Sequence, residues 1–240
     1  ENISACIVEP IAGSTGTLVP PKGYLEKLRA TCDKYGIVLI FDECTSGFRQ
    51  SFGGLHKVYG VEPDMAVFAK TLSNGFPMGA VIGNKPTMEA AQTSFISSAY
   101  WTEGIGPAAS VACIEKMKTH DIPSHIQKIG ETFLSGWKDL GKKYNLPVLT
   151  GGRPELAQIG FDHPKANSMM TMYTIRMLDF GFLSGSSFNP TLSHQTRHVD
   201  QCISMAEEVF KELSESLDKN DIDKRINYNP KHSGFKRLVN

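Results

Sequence analysis

The sequence has no run of uncharged apolar residues approaching the ~20 that a membrane-spanning helix needs, and no basic segment followed by an apolar stretch at its start. Neither a membrane span nor a secretion signal is expected. An excess of one charge is also missing, since 25 Lys and Arg stand against 25 Asp and Glu, so nothing marks the chain for nucleic acid or acidic lipid. Cysteine is scattered. Cys6, Cys32, Cys44, Cys113 and Cys202 are odd in number and never spaced as C-x-x-C, which disfavours a disulfide framework and a zinc site. No metal is expected, and a reducing, cytoplasmic setting fits that usage. A dinucleotide loop is lacking too, because Gly13-Ser14-Thr15-Gly16 does not match G-x-G-x-x-G. Methionine is absent from the first position, and the strand-like stretch Ser4 to Val8 follows almost at once, so residues are expected upstream.

What is present is 240 residues, 40% hydrophobic and 21% charged, ordinary for a globular protein of one large or two small domains. Four apolar runs predict buried strands: Ala5 to Val8, Ile37 to Phe41, Met65 to Ala69 and Ala80 to Gly83. Leu25, Leu28 and Cys32 recur at helical spacing between the first two, after Pro20, Pro21 and Gly23. Strand, helix, strand implies a parallel sheet. Later the pattern changes. Ile126, Ile129, Phe133, Trp137 and Leu140 stripe one helix, Thr150-Gly151-Gly152 reads as a turn, and Val199, Ile203, Ala206, Phe210, Leu213 and Leu217 stripe another. From Asn220 onward the chain reads as a basic, turn-rich tail. The expected division is residues 1–118 and residues 119–240.

Three ionisable residues stand where predicted strands end: Glu9, Asp42 and Lys70. In an open parallel sheet they would line the carboxyl edge, where such sheets bind ligands. The words around them form an ordered series. Glu9-Pro10-Ile11-Ala12-Gly13 is followed by Pro20-Pro21-Lys22-Gly23-Tyr24-Leu25 and Phe41-Asp42-Glu43-Cys44-Thr45-Ser46-Gly47-Phe48-Arg49. Then come Tyr59-Gly60-Val61-Glu62-Pro63-Asp64, Phe68-Ala69-Lys70 and Gly75-Phe76-Pro77-Met78-Gly79-Ala80.

This series resembles the class III aminotransferases, enzymes of pyridoxal 5'-phosphate (PLP) with the aspartate aminotransferase fold, near-continuously from Ala5 to Pro107 and more weakly to about Leu213. The resemblance implies an α/β protein of fold type I. Residues 1–118 would form part of a large PLP-binding domain with a mixed, mostly parallel sheet, and residues 119–240 an α+β small domain with a tail. It implies that Lys70 forms a Schiff base with the cofactor aldehyde and later moves a proton. Burial and nearby positive charge would keep that amine partly uncharged. Asp42 matches the carboxylate on the pyridine nitrogen, which keeps the ring an electron sink. Cys44 matches a residue packed on the ring face, and Glu9 and Thr45 stand beside it in the cofactor site. Thr102 falls on the threonine that binds the phosphate of the partner subunit, which implies a homodimer with a shared site; a simple helix cap is its other reading.

Within the family, Gly47-Phe48-Arg49, Gly53-Gly54 and the words around Glu9 and Tyr59 resemble the glutamate-1-semialdehyde 2,1-aminomutase branch. Ser14 in place of Asn, Thr45 in place of Met, and Phe188-Asn189-Pro190-Thr191-Leu192-Ser193-His194 depart from it. The implied substrate is a small amino or keto compound. An intermolecular transaminase of a keto acid or sugar ketone and a catalytically inactive, truncated scaffold are the alternatives. The family's upstream phosphate loop and stacking aromatic residue are not in this sequence. His194 reads as a helix-start residue, and Arg49 as either a substrate carboxylate ligand or an ion-pair partner.

Overall fold

Val38, Leu39, Ile40 and Phe41 follow a helix stop at Gly36, whose left-handed backbone (φ 65°) closes the last helical turn on the carbonyls of Cys32 and Asp33. A computed structural model describes residues 3–13 and 16–232, so Ser14 and Thr15 lie outside the described residues. The chain divides into two units, residues 1–125 and 126–240.

In the first unit, β1 (Ala5–Val8), α1 (Tyr24–Tyr35), β2 (Val38–Asp42), α2 (His56–Tyr59), β3 (Met65–Phe68), β4 (Ala80–Gly83), α3 (Lys85–Glu89) and α4 (Ile105–Thr119) follow in chain order. The sheet order is β1-β2-β3-β4; β1, β2 and β3 run parallel, while β4 is antiparallel to β3. On α1, Leu25 and Cys32 face Leu39, Phe41 and Val61 in one apolar cluster, as the helical spacing predicts. Ala66, Phe68 and Leu72 form a second.

The expectation of four buried strands needs correction. Leu39 and Phe41 are buried in β2, and Ala66 and Phe68 in β3, but β1 exposes Ile7 and β4 exposes Val81 and Ile82. These two strands are the sheet's edges among the described residues, each with a neighbour on one side only. Arg29 joins helix to sheet: it meets Asp64 Oδ2 at 2.8 Å, and the same oxygen accepts the Leu39 amide at 2.8 Å.

α5 (Ile122–Lys143) opens late in the first unit and continues into the second. The second unit adds β5 (Val148–Arg153), β6 (Leu156–Phe161), α6 (Ala166–Asp179), β7 (Ser187–Phe188), α7 (Thr196–Asp218) and α8 (Ile222–Ile226). Its sheet is antiparallel, in the order β5-β6-β7. The predicted stripe of α5 is buried along its length, and Val199, Ala206, Phe210 and Leu213 of α7 meet it. Thr150-Gly151-Gly152 is not a turn. It pairs with Ile159, Gln158 and Ala157 inside β5, and the reversal falls at Pro154 and Glu155. Nor is the tail irregular throughout: Ile222 and Ile226, one helical turn apart on α8, are buried in the core of this unit.

Candidate active site

Parallel register sets the level of the predicted site. Val8 pairs with Phe41 and Asp42 with Val67, so Glu9, Asp42 and the chain leaving β3 toward Lys70 all reach the carboxyl edge of the sheet. Each is then held by short-range hydrogen bonds. Glu9 Oε2 accepts the Gly13 amide at 2.9 Å, and Asp42 Oδ1 accepts the Cys44 amide at 3.0 Å. A carboxylate can accept more than one donor at each oxygen, so Asp42 retains acceptor capacity beyond the Cys44 amide. Burial, followed by the nearby Asp42, pushes the Cys44 thiol up. Both influences favour the thiol over the thiolate.

Lys70 follows β3 on a short helical turn and adopts a left-handed backbone, φ 47°. A side chain other than glycine pays about 1–3 kcal/mol for such a conformation, so its surroundings must impose it. They do so from both sides. The Asn74 amide donates to the Lys70 carbonyl at 2.8 Å, and Thr71 Oγ1 donates to the Gly47 carbonyl at 2.7 Å. The Lys70 ammonium in turn donates to Thr45 Oγ1 at 2.6 Å. The expected burial of the amine is not found: Lys70 is exposed, because the chain has left the covered part of β3 by Ala69 and turned along the sheet edge.

Thr45 joins these parts. Its hydroxyl takes the lysine, its carbonyl accepts Arg49 Nε at 2.7 Å, and its methyl fills the space where a Cβ on Gly13 would come within 2.6 Å. The turn that follows Glu9 can thus approach only because residue 13 is glycine. Arg49 is buried and donates to this backbone.

Thr102 is exposed. It is not the cap of α4. Glu103 is, with Oε1 accepting the Ile105 amide and Oε2 the Gly106 amide at 3.0 Å. His194 precedes α7 and its Nδ1 lies 3.0 Å from the Thr191 amide, while Gln195 and His198 form a reciprocal cap. Sequence reasoning passed over Glu43. It is fully buried beside Asp42 and Cys44, and burial raises its pKa while the Ser46 hydroxyl and Leu55 amide oppose the shift. An acid set among Ser46, Gly47 and Gly54, small residues that let a chain fold back on it, was the available signal. Among the described residues no group of side chains could hold a metal ion, and no helix is long and apolar enough to cross a membrane.

The family described as aminotransferase class-III matches residues 1–210. Glutamate-1-semialdehyde 2,1-aminomutase of Citrifermentans bemidjiense is 33% identical over 229 residues, 88% of this chain and 54% of the relative. Glutamate-1-semialdehyde 2,1-aminomutase 2 of Lachnoclostridium phytofermentans is 36% identical over 184 residues, 75% and 42% of the two chains. The chain thus spans about half the length of the curated relatives it matches. Among solved structures, the PLP internal aldimine form of the FumI protein of Sphingopyxis sp. MTA144 superposes with a TM-score of 0.84 at 18% identity, covering 90% of this chain and 53% of that one. Ornithine aminotransferase of Plasmodium yoelii gives 0.75 at 24% identity, covering 88% and 58%. At those identities the likeness is one of fold, and it is the fold of transaminases.

Proposed function

Because this chain belongs to the class-III aminotransferase family, we propose that it forms part of a PLP-dependent enzyme that moves an amino group, of the glutamate-1-semialdehyde 2,1-aminomutase type, with Lys70 as the cofactor-bearing amine. One observation carries the reading: an amine and a carboxylate stand at the ends of adjacent parallel strands, on an edge open to a ligand. The donor set fits the cofactor. A primary amine can take an aldehyde, and a carboxylate with acceptor capacity beyond one amide can hold a protonated ring nitrogen. PLP, when bound, supplies the electron sink that makes a carbon–hydrogen bond beside nitrogen acidic.

This chain's own residues supply position and proton transfer. Lys70 attaches the cofactor and carries the proton between carbon atoms once its amine is released. Asp42 holds the ring, with the Cys44 amide fixing the carboxylate's orientation. Cys44, Thr45 and Glu9 surround it. The aminomutase direction rests on the names of the curated relatives.

Residues 1–118 are read as the cofactor-binding part and 119–240 as the small domain with its tail. The active form is a homodimer. Phe95, Tyr100, Trp101 and Ile105 are 96, 69, 69 and 63% exposed around Thr102, more apolar surface than a free loop keeps, and a second copy covers it with Thr102 at the partner's cofactor phosphate. Free cysteines Cys6, Cys32, Cys44, Cys113 and Cys202 suit a cytoplasmic enzyme.

The test is spectral and chemical. The complete polypeptide with PLP should show a visible absorption band that borohydride fixes onto the Lys70 peptide, and Lys70→Ala should abolish both. A complete protein without that band refutes the assignment. Turnover of one amino aldehyde with no added keto acid separates the mutase from a transaminase.

A further inference from the structure

The segment that carries Thr45 closes on a buried carboxylate for which the proposed chemistry has no use. Glu43 is 0% exposed. Its Oε2 accepts the Ser46 hydroxyl at 2.6 Å, and its Oε1 accepts the amide of Leu55, 12 residues further on. One side chain thus ties both ends of the loop formed by residues 43–55. Two glycines make the closure possible. A Cβ on Gly54 would lie 2.6 Å from Glu43 Oε1, and one on Gly47 would lie 2.6 Å from the Phe68 ring and 2.9 Å from the Glu43 carbonyl.

The loop touches the Lys70 turn at two points. Thr45 Oγ1 accepts from the lysine, and the Gly47 carbonyl accepts from Thr71, the next residue. Ser46, which Glu43 holds, sits between those two acceptors. The backbone reinforces the tie, because the Gly47 amide donates to the Glu43 carbonyl at 2.9 Å and the Glu43 amide donates to Val67 of β3 at 2.8 Å. Lys70 itself is exposed. The direction of its amine and the turn that carries it are therefore tied to acceptors of this loop, with the Asn74 amide holding the Lys70 carbonyl from the other side.

We infer that Glu43 is a positioning residue: by clamping Ser46 and Leu55 it sets Thr45 and Gly47 against the turn that presents the Lys70 amine. The inference rests on the reading of Lys70 given above. It adds a residue that touches neither substrate nor cofactor and acts through the loop.

The experiment uses the complete polypeptide and four variants, Glu43→Ala, Glu43→Gln, Ser46→Ala and Leu25→Ala, each held well below its unfolding midpoint. Leu25 is a buried residue of the same unit that does not belong to the loop, so Leu25→Ala reports general destabilisation. Two quantities are measured: the rate at which an amine-reactive acylating reagent labels Lys70 in cofactor-free protein, by peptide mass spectrometry, and the binding of added PLP, by visible absorbance.

Glu43→Ala should change the labelling rate severalfold and weaken PLP binding about tenfold. Ser46→Ala should do the same to a smaller degree. Glu43→Gln should recover most of the loss, since its carbonyl can accept from Leu55 and its amide can donate to the serine oxygen. Leu25→Ala should leave both quantities at wild-type values. A folded Glu43→Ala protein with wild-type labelling and binding overturns the inference, as does an equal loss in Leu25→Ala. Should Glu43→Ala fail to fold, an unchanged Ser46→Ala overturns it instead. Wild-type protein that takes up no PLP defeats the reading of Lys70, while the labelling arm still judges Glu43.

Discussion

The two units are held together by different means. Among the described residues of the second unit a single apolar cluster spans helices and sheet, centred on Trp137, which meets Tyr173 and Phe210 edge-on at 5.0 and 4.8 Å and Phe161 at 5.4 Å. In residues 1–125 the buried apolar residues fall into separate smaller groups, around Leu39 and Phe41 and around Phe68. Polar ties fill the gap there, from Asp64 to Arg29 and the Leu39 amide, and from Glu43 to Ser46 and Leu55. All of the proposed cofactor residues stand in that second kind of structure. Loops that must hold reactive groups at a ligand-facing edge cannot bury them in hydrocarbon, so hydrogen bonds to backbone do the fixing.

If that contrast is right, the units should fail differently. The largest effect is expected from Trp137→Ala, which empties the centre of a close-packed cluster and should cost about 3–5 kcal/mol. Leu39→Ala, in the smaller group, should cost about 2–3 kcal/mol, because a thin core collapses more easily around a cavity. Denaturant unfolding followed by amide exchange on α7 and α1 assigns each loss to its unit. Equal losses in both units would break the comparison.

A smaller effect appears as pH is varied, and its two limbs have opposite sign. Burial raises the pKa of Glu43 against the pull of Ser46, Leu55 and the His56 amide and ring. Its contribution to stability is therefore full below the ordinary carboxylate range and is lost as pH rises through the raised value. Asp64 is the reverse case. Burial pushes it up, but the Leu39 amide, Arg29 and Asn84 together bring it below the ordinary value. Its contribution is present above that value and lost as pH falls through the depressed one. Glu43→Gln should flatten the upper limb of a melting-temperature profile, and Asp64→Asn the acid limb. A profile untouched by either would show that these polar ties do not carry the first unit.

The sequence discloses apolar burial more readily than polar closure, for a physical reason. A stripe such as Ile129, Phe133, Trp137 and Leu140 repeats with the helical period whatever it packs against, so α5 and α7 were legible, as was the end of β1 and, to within one residue, those of β2 and β3. Gly151 and Gly152 misled because glycine signals a turn by its own freedom, while here pairing with β6 decides the conformation. Ile222 and Ile226 were hidden among charges, two apolar residues being too few for a period. Glu43 was hidden because its partners are a hydroxyl close by and an amide across a loop, and the small residues Ser46, Gly47 and Gly54 signal only that the chain can fold back, not which side chain closes it. The edge exposure of β1 and β4 was equally invisible, since an apolar run reads alike with one neighbour or two.

The smallest effect concerns Thr102 and Glu103, neighbours whose proposed duties differ. Glu103 accepts the amides of Ile105 and Gly106 at the start of α4, satisfying donors that the helix cannot pair itself and placing negative charge at its positive end. Glu103→Ala should lower stability by about 1 kcal/mol and speed amide exchange in the first turn of α4. Thr102 is exposed and makes no such cap, so Thr102→Ala should change stability by less than ~0.5 kcal/mol. In the proposed dimer the order should reverse, with Thr102→Ala weakening PLP binding more than Glu103→Ala, because the proposed contact of the Thr102 hydroxyl with the partner's cofactor phosphate exists only there. Thr102→Ala protein that melts early but binds PLP normally would return Thr102 to a purely structural role.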